Sequence, residues 1–346
     1  MNLTDALAVS RLDAVNGWMD GEPRGASLLG FCDYLVTQGD GDAATLVLTR
    51  AEHVNRLVYN GRYDGDLYRL RGRLAYLVGD FDGACRQFEA MERHARAHGN
   101  TSAWARAAYD YGVALARCGR LEATLAALQT ATEAATEAGE TLMLGYVHWA
   151  AGNLLLDRES YAEAQTHYES AIGNLQGDER VVYPRWGVLV CRWELGEPHL
   201  LEAVTSFAAE APAQLLARVL YVVGTMHREA GDLATALQWL GQALSAAEPG
   251  GGDWAAIQAE RLLCLYRDGQ TAAAQAVVRD LTQCGPPRFD SYQEALPAAW
   301  VTARLAPDAV GALLPPPHSS AQRRLDTLIR TNMERFPPFR GEPTHL

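Results

Sequence analysis

Lysine is absent from this 346-residue chain: all 30 residues of the Lys and Arg class are arginine, set against 42 Asp and Glu. Isoleucine is nearly absent too, with only Ile172, Ile257 and Ile329. Together with abundant Ala, Leu, Arg and Gly, this composition is that of a GC-rich coding bias. No apolar run approaches the roughly 18 residues of a membrane-spanning helix. Residues 1–17 carry Asp5, Arg11 and Asp13 and lack the basic start and unbroken apolar stretch of a signal peptide. The six cysteines are widely spaced and never form a C-x-x-C pair, so they read as small buried hydrophobes in a reducing compartment. Cys118 stands apart, at a turn where its thiol would be accessible.

Catalytic signatures are missing as well. There is no P-loop, glycine-rich dinucleotide fingerprint, G-x-S-x-G elbow or kinase signature. His94 and His98 have the spacing of an i,i+4 metal pair, but they lie beside Arg93 and Arg96 at a helix end, where cations complement the helix dipole. No third ligand accompanies them. Neither an enzyme activity, a cofactor nor a metal is expected. The net charge of −12 opposes non-specific binding to nucleic acid or an anionic membrane. Forty-eight per cent hydrophobic residues supply a large core and exclude wholesale disorder.

What is present is a repeat. Gly39-Asp40, Gly79-Asp80, Gly119-Arg120 and Glu159-Ser160 recur every 40 residues, and Gly196-Glu197, Gly231-Asp232 and Gly269-Gln270 follow at 37, 35 and 38. Seven residues before each stands Cys32, Gly72, Gly112, Gly152, Leu189, Gly224 or Leu262. Five after comes Ala44, Ala84, Thr124, Ala164, Leu201, Ala236 or Ala274. Nine after lies Leu48, Phe88, Leu128, Tyr168, Thr205, Leu240 or Val278, and twelve after Ala51, Met91, Ala131, Ala171, Ala208, Ala243 or Leu281. A glycine followed by a polar residue ends one helix and caps the next. Small residues let two antiparallel helices approach, and the large one nine after the turn fills the gap between pairs. One pair cannot bury its apolar face alone, so stacking supplies the core.

This frame, clearest in residues 71–91, 152–171 and 224–243, resembles the tetratricopeptide repeat family in a long, roughly 40-residue bacterial-type form. The resemblance covers residues 26–285 and implies an all-α fold: a right-handed α-solenoid of about seven stacked antiparallel helix pairs. Residues 1–25 are expected to form an N-terminal capping helix and loop. Residues 286–346 are expected to hold a degenerate last pair, a capping helix and a tail ending in Phe336 and Phe339.

The family resemblance also implies that the first helix of each pair lines a concave surface, with facing positions 13, 10, 6 and 3 residues before the turn. These are Asp66, Arg69, Arg73 and Tyr76; Arg106, Tyr109, Val113 and Ala116; Tyr146, Trp149, Asn153 and Leu156; Tyr183, Trp186, Val190 and Trp193; Arg218, Tyr221, Thr225 and Arg228; and Ala256, Ala259, Leu263 and Tyr266. Fourteen of the 24 are aromatic or arginine, although the chain holds only 29 aromatics and 30 arginines in 346 residues. Such a stripe in an acidic protein has the composition of a recognition surface. Tyr111, Tyr168 and Trp239 read instead as core residues. Asn153 occupies the place of the family's carboxylate-clamp asparagine, but Trp149 replaces the clamp's basic residue, so that mechanism is not carried over.

The expected function is a non-enzymatic cytoplasmic scaffold or regulator that takes a protein or peptide partner, with arginines holding carboxylates and rings making apolar contact. Single-stranded nucleic acid in the same groove is an alternative that the net charge opposes. A homo-oligomeric assembly is another, its groove filled by the chain's own tail or by a second copy. Replacing Arg69 and Arg73 is expected to weaken partner capture without changing melting.

Overall fold

A computed structural model describes residues 24–283 together with 298–299, 301–302 and 304–306. Fourteen α-helices occupy 24–283, with no strand among the described residues. In chain order they are α1 Arg24–Thr37, α2 Gly41–Val58, α3 Asp64–Leu77, α4 Phe81–Ala97, α5 Thr101–Arg117, α6 Leu121–Ala138 and α7 Thr141–Leu156. Then follow α8 Tyr161–Asn174, α9 Val182–Glu194, α10 Leu201–Ala208, α11 Ala213–Glu229, α12 Leu233–Ala246, α13 Gly252–Arg267 and α14 Thr271–Gln283. The fold is all-α and built of stacked antiparallel pairs, the α-solenoid architecture.

Every expected turn adopts the left-handed conformation. Gly39, Gly79, Gly119, Gly196, Gly231 and Gly269 have φ between 69° and 84°, a region open to glycine at no steric cost. Glu159 takes the same conformation at φ 60°, where its Cβ crowds the following carbonyl. The aspartates behind several turns act as caps: Asp40, Asp80 and Asp232 accept from the amides of Ala43, Gly83 and Thr235 at 2.8–3.1 Å. Arg120 and Ser160 make no side-chain cap.

The small-and-large frame packs as the spacing requires. Phe88, Leu128, Tyr168 and Leu240 are at most 4% exposed. Tyr168 lies between two glycines: a Cβ on Gly152 would sit 2.7 Å from its ring, and one on Gly187 2.6 Å. A larger residue at either position would push the ring out. Tyr111 and Trp239 are half-buried against neighbouring clusters, while Tyr168 is fully buried.

Contacts divide the chain into two compact units, Met1–Gly196 and Glu197–Leu346, where the sequence pattern suggests one array over residues 26–285. The division falls at the turn where the frame is weakest. In the other pairs the second helix starts two residues after the turn residue, but here α10 starts five after it, at Leu201, with Glu197, Pro198, His199 and Leu200 between. The buried residues there are Leu200, Val204 and Phe207, one position earlier than the expected Leu201, Thr205 and Ala208. Beyond α14, Ala298, Ala299 and Val301 join the cluster of α13 and α14, as an incomplete further pair would. The expected N-terminal cap, proline stop, last helix and tail lie outside the described residues.

Replacing Glu159 by glycine removes the left-handed strain. The variant should gain about 0.5–1 kcal/mol, the strain relieved less the extra backbone entropy of glycine. Urea denaturation followed by circular dichroism measures it, and an unchanged or lower midpoint contradicts the account.

Candidate functional site: the inner face of the first helices

In the first unit, α1, α3, α5 and α7 contact one another in succession as well as their antiparallel partners. The predicted stripe lies along these helices. Two of its arginines, Arg69 and Arg73 on α3, converge on one carboxylate, Asp33 of α1. Arg69 Nη1 lies 3.3 Å from Asp33 Oδ1, and Arg73 also donates to Thr37 Oγ1 at 3.2 Å. All three charged side chains remain about a third exposed (28%, 31% and 33%), so the cluster stays open to solvent. One consequence departs from the sequence expectation. Removing both arginines strips Asp33 of its partners and therefore affects packing of the first two pairs as well as any ligand.

Next to this cluster, a pocket of about 400 Å³ is lined by Arg73, Tyr76, Tyr109, Asp110 and Val113, with Phe88 and Val36 beneath. Tyr76 packs edge-on against Phe81, centroids 5.2 Å apart, and burial pushes the Tyr109 hydroxyl up to about 12. Asp110 is pushed up from 3.8 to about 6 by burial, against the pull of Arg106, Arg69 and Arg73. Arg106, one turn earlier on α5, makes no hydrogen bond or ion pair of its own among the described residues. Larger depressions, of about 560 Å³ around Glu52, Asn55 and Arg71 and about 520 Å³ over α10, lack this pairing of guanidinium with phenol rings.

Further along, the aromatics divide between exposed and structural roles. Trp149 and Tyr183 stack with centroids 5.1 Å apart and stay partly exposed. Tyr146 is 5% exposed; its hydroxyl donates to Asp178 at 2.9 Å and Arg180 lies over its ring at 4.5 Å. Asn153 is committed as well, its Oδ1 accepting from the Tyr168 hydroxyl at 2.8 Å. Trp186 is 7% exposed and belongs to the core, because α9 turns it inward beside Gly187. Trp193 is half-buried at the end of α9.

In the second unit the stripe arginines bridge neighbouring pairs. Arg218 of α11 holds Asp253 of α13 at 2.6 Å, and Arg228 pairs with Glu260. Arg228 and Glu260 are 5% and 4% exposed, so this is an internal ion pair between α11 and α13. Tyr221 and Tyr266 are half-buried against the helix clusters. Asp33 stands at a facing position of the first repeat, six residues before Gly39, but two further acids, Asp110 and Glu260, were outside the predicted stripe. Asp110 and Glu260 both stand nine residues before a turn glycine, one step from a facing position, and that shared offset is the signal by which they are recognisable.

His94 and His98 stack on each other, centroids 4.2 Å apart, at the end of α4. Among the described residues no cluster of three or more His, Cys, Asp or Glu is arranged to hold a metal ion. No described helix is long and apolar enough to cross a membrane.

No protein-family model and no curated protein matches the sequence. Solved structures do share its architecture. The apo form of the quorum sensor NprR from B. thuringiensis superposes with a TM-score of 0.62 at 12% identity, over 82% of this chain and 83% of that one. The apo form of RapI gives 0.65 at 12% identity, over 90% and 88%. NprR in complex with its cognate peptide NprX gives 0.57 at 12% identity, over 91% and 96%. At such identities the likeness is one of fold, and the fold is of the tetratricopeptide-repeat type.

Two outcomes follow from these charges. Glu260→Ala leaves Arg228 buried without its main partner and should cost about 3–5 kcal/mol, whereas replacing both residues by apolar ones of similar volume should cost far less; equal losses in urea titrations would contradict the pairing. Asp110 holds a proton in the folded chain that the unfolded chain releases above pH 3.8, so its stabilising contribution is complete below that pH and is lost as pH rises through about 6. Asp110→Asn should therefore be more stable than the parent above pH 6, by roughly 1 kcal/mol after solvent screening, with the advantage fading toward pH 4. Thermal melts at both pH values check the sign.

Proposed function

We propose that this chain is a non-enzymatic intracellular regulator that captures an extended peptide along the inner face of its first unit. The observation that carries the reading is the pocket beside Arg106, where Arg73 meets the rings of Tyr76 and Tyr109 in open reach of solvent. The guanidinium groups would hold a carboxylate of the peptide, and the pocket would take an apolar or aromatic side chain between the two tyrosines. Arg106 is the primary anchor, because Arg69 and Arg73 already share Asp33. An incoming carboxylate would compete with Asp33 for them, and that exchange is a route by which binding would alter the packing of the first two pairs. The shared fold of NprR, solved with its cognate peptide NprX, supports a peptide as the guest.

The test is a selection from a synthetic library of short peptides, free and amidated at the C-terminus, on the purified chain. Peptides carrying acidic and aromatic residues should be enriched. Arg106→Ala should weaken the best of them by about tenfold or more while helicity is unchanged. Equal affinity for the Arg106→Ala variant would remove the site. Preferential capture of a single-stranded oligonucleotide, with a steep loss in salt, would replace the peptide reading.

A further inference from the structure

Cys118 caps the C-terminus of α5, immediately before the Gly119 turn, and keeps part of its surface exposed. Its surroundings come from a different repeat. Cys85 of α4 is 5% exposed and belongs to the apolar cluster against which Cys118 packs. Asp82 lies one turn before Cys85 on the same face of α4. Its Oδ1 accepts from Arg120 at 2.7 Å and lies 3.9 Å from Cys118 Sγ. The face of α4 that carries Asp82 and Cys85 is therefore set against the turn between α5 and α6, with one cysteine partly exposed and the other buried. Cys32, Cys191 and Cys264 are instead buried completely, in other parts of the chain.

We propose that Cys85 and Cys118 form a peroxide-reactive dithiol site that closes reversibly into a disulfide joining the second and third repeats. The exposed Cys118 sulfur, as thiolate, attacks one oxygen of hydrogen peroxide. The O–O bond breaks, Cys118 becomes a sulfenic acid and hydroxide leaves, to be protonated to water. The Cys85 sulfur then attacks the Cys118 sulfur; the S–S bond forms, the S–O bond breaks, and the departing oxygen takes the Cys85 proton and leaves as a second water. Two thiols and one peroxide give one disulfide and two waters, with sulfur oxidised and peroxide oxygen reduced. Burial and the neighbouring Cys118 sulfur push the Cys85 thiol up to about 12, which suits it to the resolving step and not to first attack. In a reducing compartment such a link is transient, formed under oxidant and undone by exchange with a small thiol. It would tie α4 to the end of α5, the helix that also carries Tyr109 and Asp110. The site does not depend on the peptide-binding reading.

The experiment treats the full-length chain with hydrogen peroxide and follows it by intact mass, non-reducing peptide mapping and thiol titration. The expected product has lost two hydrogens and yields a linked peptide pair containing Cys85 and Cys118, and dithiothreitol restores both thiols. Cys118→Ser should keep all its thiols under the same exposure. Cys85→Ser should trap Cys118 as a sulfenic acid, read as a dimedone adduct. If Cys85→Ser does not fold, the map of the unaltered chain decides alone. Cys118 passing to sulfinic acid while Cys85 stays a thiol, a link through another cysteine, a link between two chains, or no reaction would each overturn the proposal.

Discussion

Close approach between a large side chain and a residue with almost none is the constraint on which the remaining structure rests. Tyr168 fills the space left by Gly152 on one side and Gly187 on the other, and Phe88 lies so near Gly72 that a Cβ there would be 2.4 Å from its ring. Each such pairing fixes the distance between two helices and, through the next glycine, the distance to the following pair. The apolar area of a single pair is too small for independent stability, so this repeated fit is also what lets the chain bury a core at all. Where the fit is interrupted, at the longer Glu197–His199 turn, the compact units divide.

A second set of interactions runs across the inner face. Asp33 with Arg69 and Arg73, Arg218 with Asp253, and Arg228 with Glu260 all connect first helices of successive pairs. Their environments differ, and so do their consequences. Arg228 and Glu260 are dehydrated and depend on each other, because either alone would be an uncompensated buried charge. The cluster at Asp33 is partly solvated, so exchanging one carboxylate for another there costs far less. The contrast favours the partly solvated Asp33 cluster over the buried Arg228–Glu260 pair as part of the recognition surface proposed above.

The repeat frame was legible in the amino-acid order because its causes are local. A left-handed turn calls for glycine, a helix start calls for Asp or Asn, and a helix that meets another closely calls for a small residue at the crossing. The seven turns were therefore visible, including the one where Glu159 stands in glycine's place. The candidate site was legible only in composition. Arg73, Tyr76 and Tyr109 do share a pocket, yet Trp186 and Tyr146 of the same stripe are buried. Helical spacing places a residue on a face but not at a depth, and depth depends on how the next pair is tilted against it. Cys118 was recognisable as exposed, while Cys85 beneath it was not.

Sequence alone thus determined where the helix pairs turn and, except after the longer turn at Gly196, which residues seal the layers, since those preferences are set by the nearest few residues and recur with a fixed period. Tertiary structure alone decided which guanidinium is neutralised, which ring is covered and which thiol has a neighbour. The partners in those contacts come from other repeats: Asp33 and Arg73 are 40 residues apart, Arg228 and Glu260 are 32 apart. No local propensity acts over such separations. They are joined by the packing of whole helices, and the charges and thiols that face one another do so as a result.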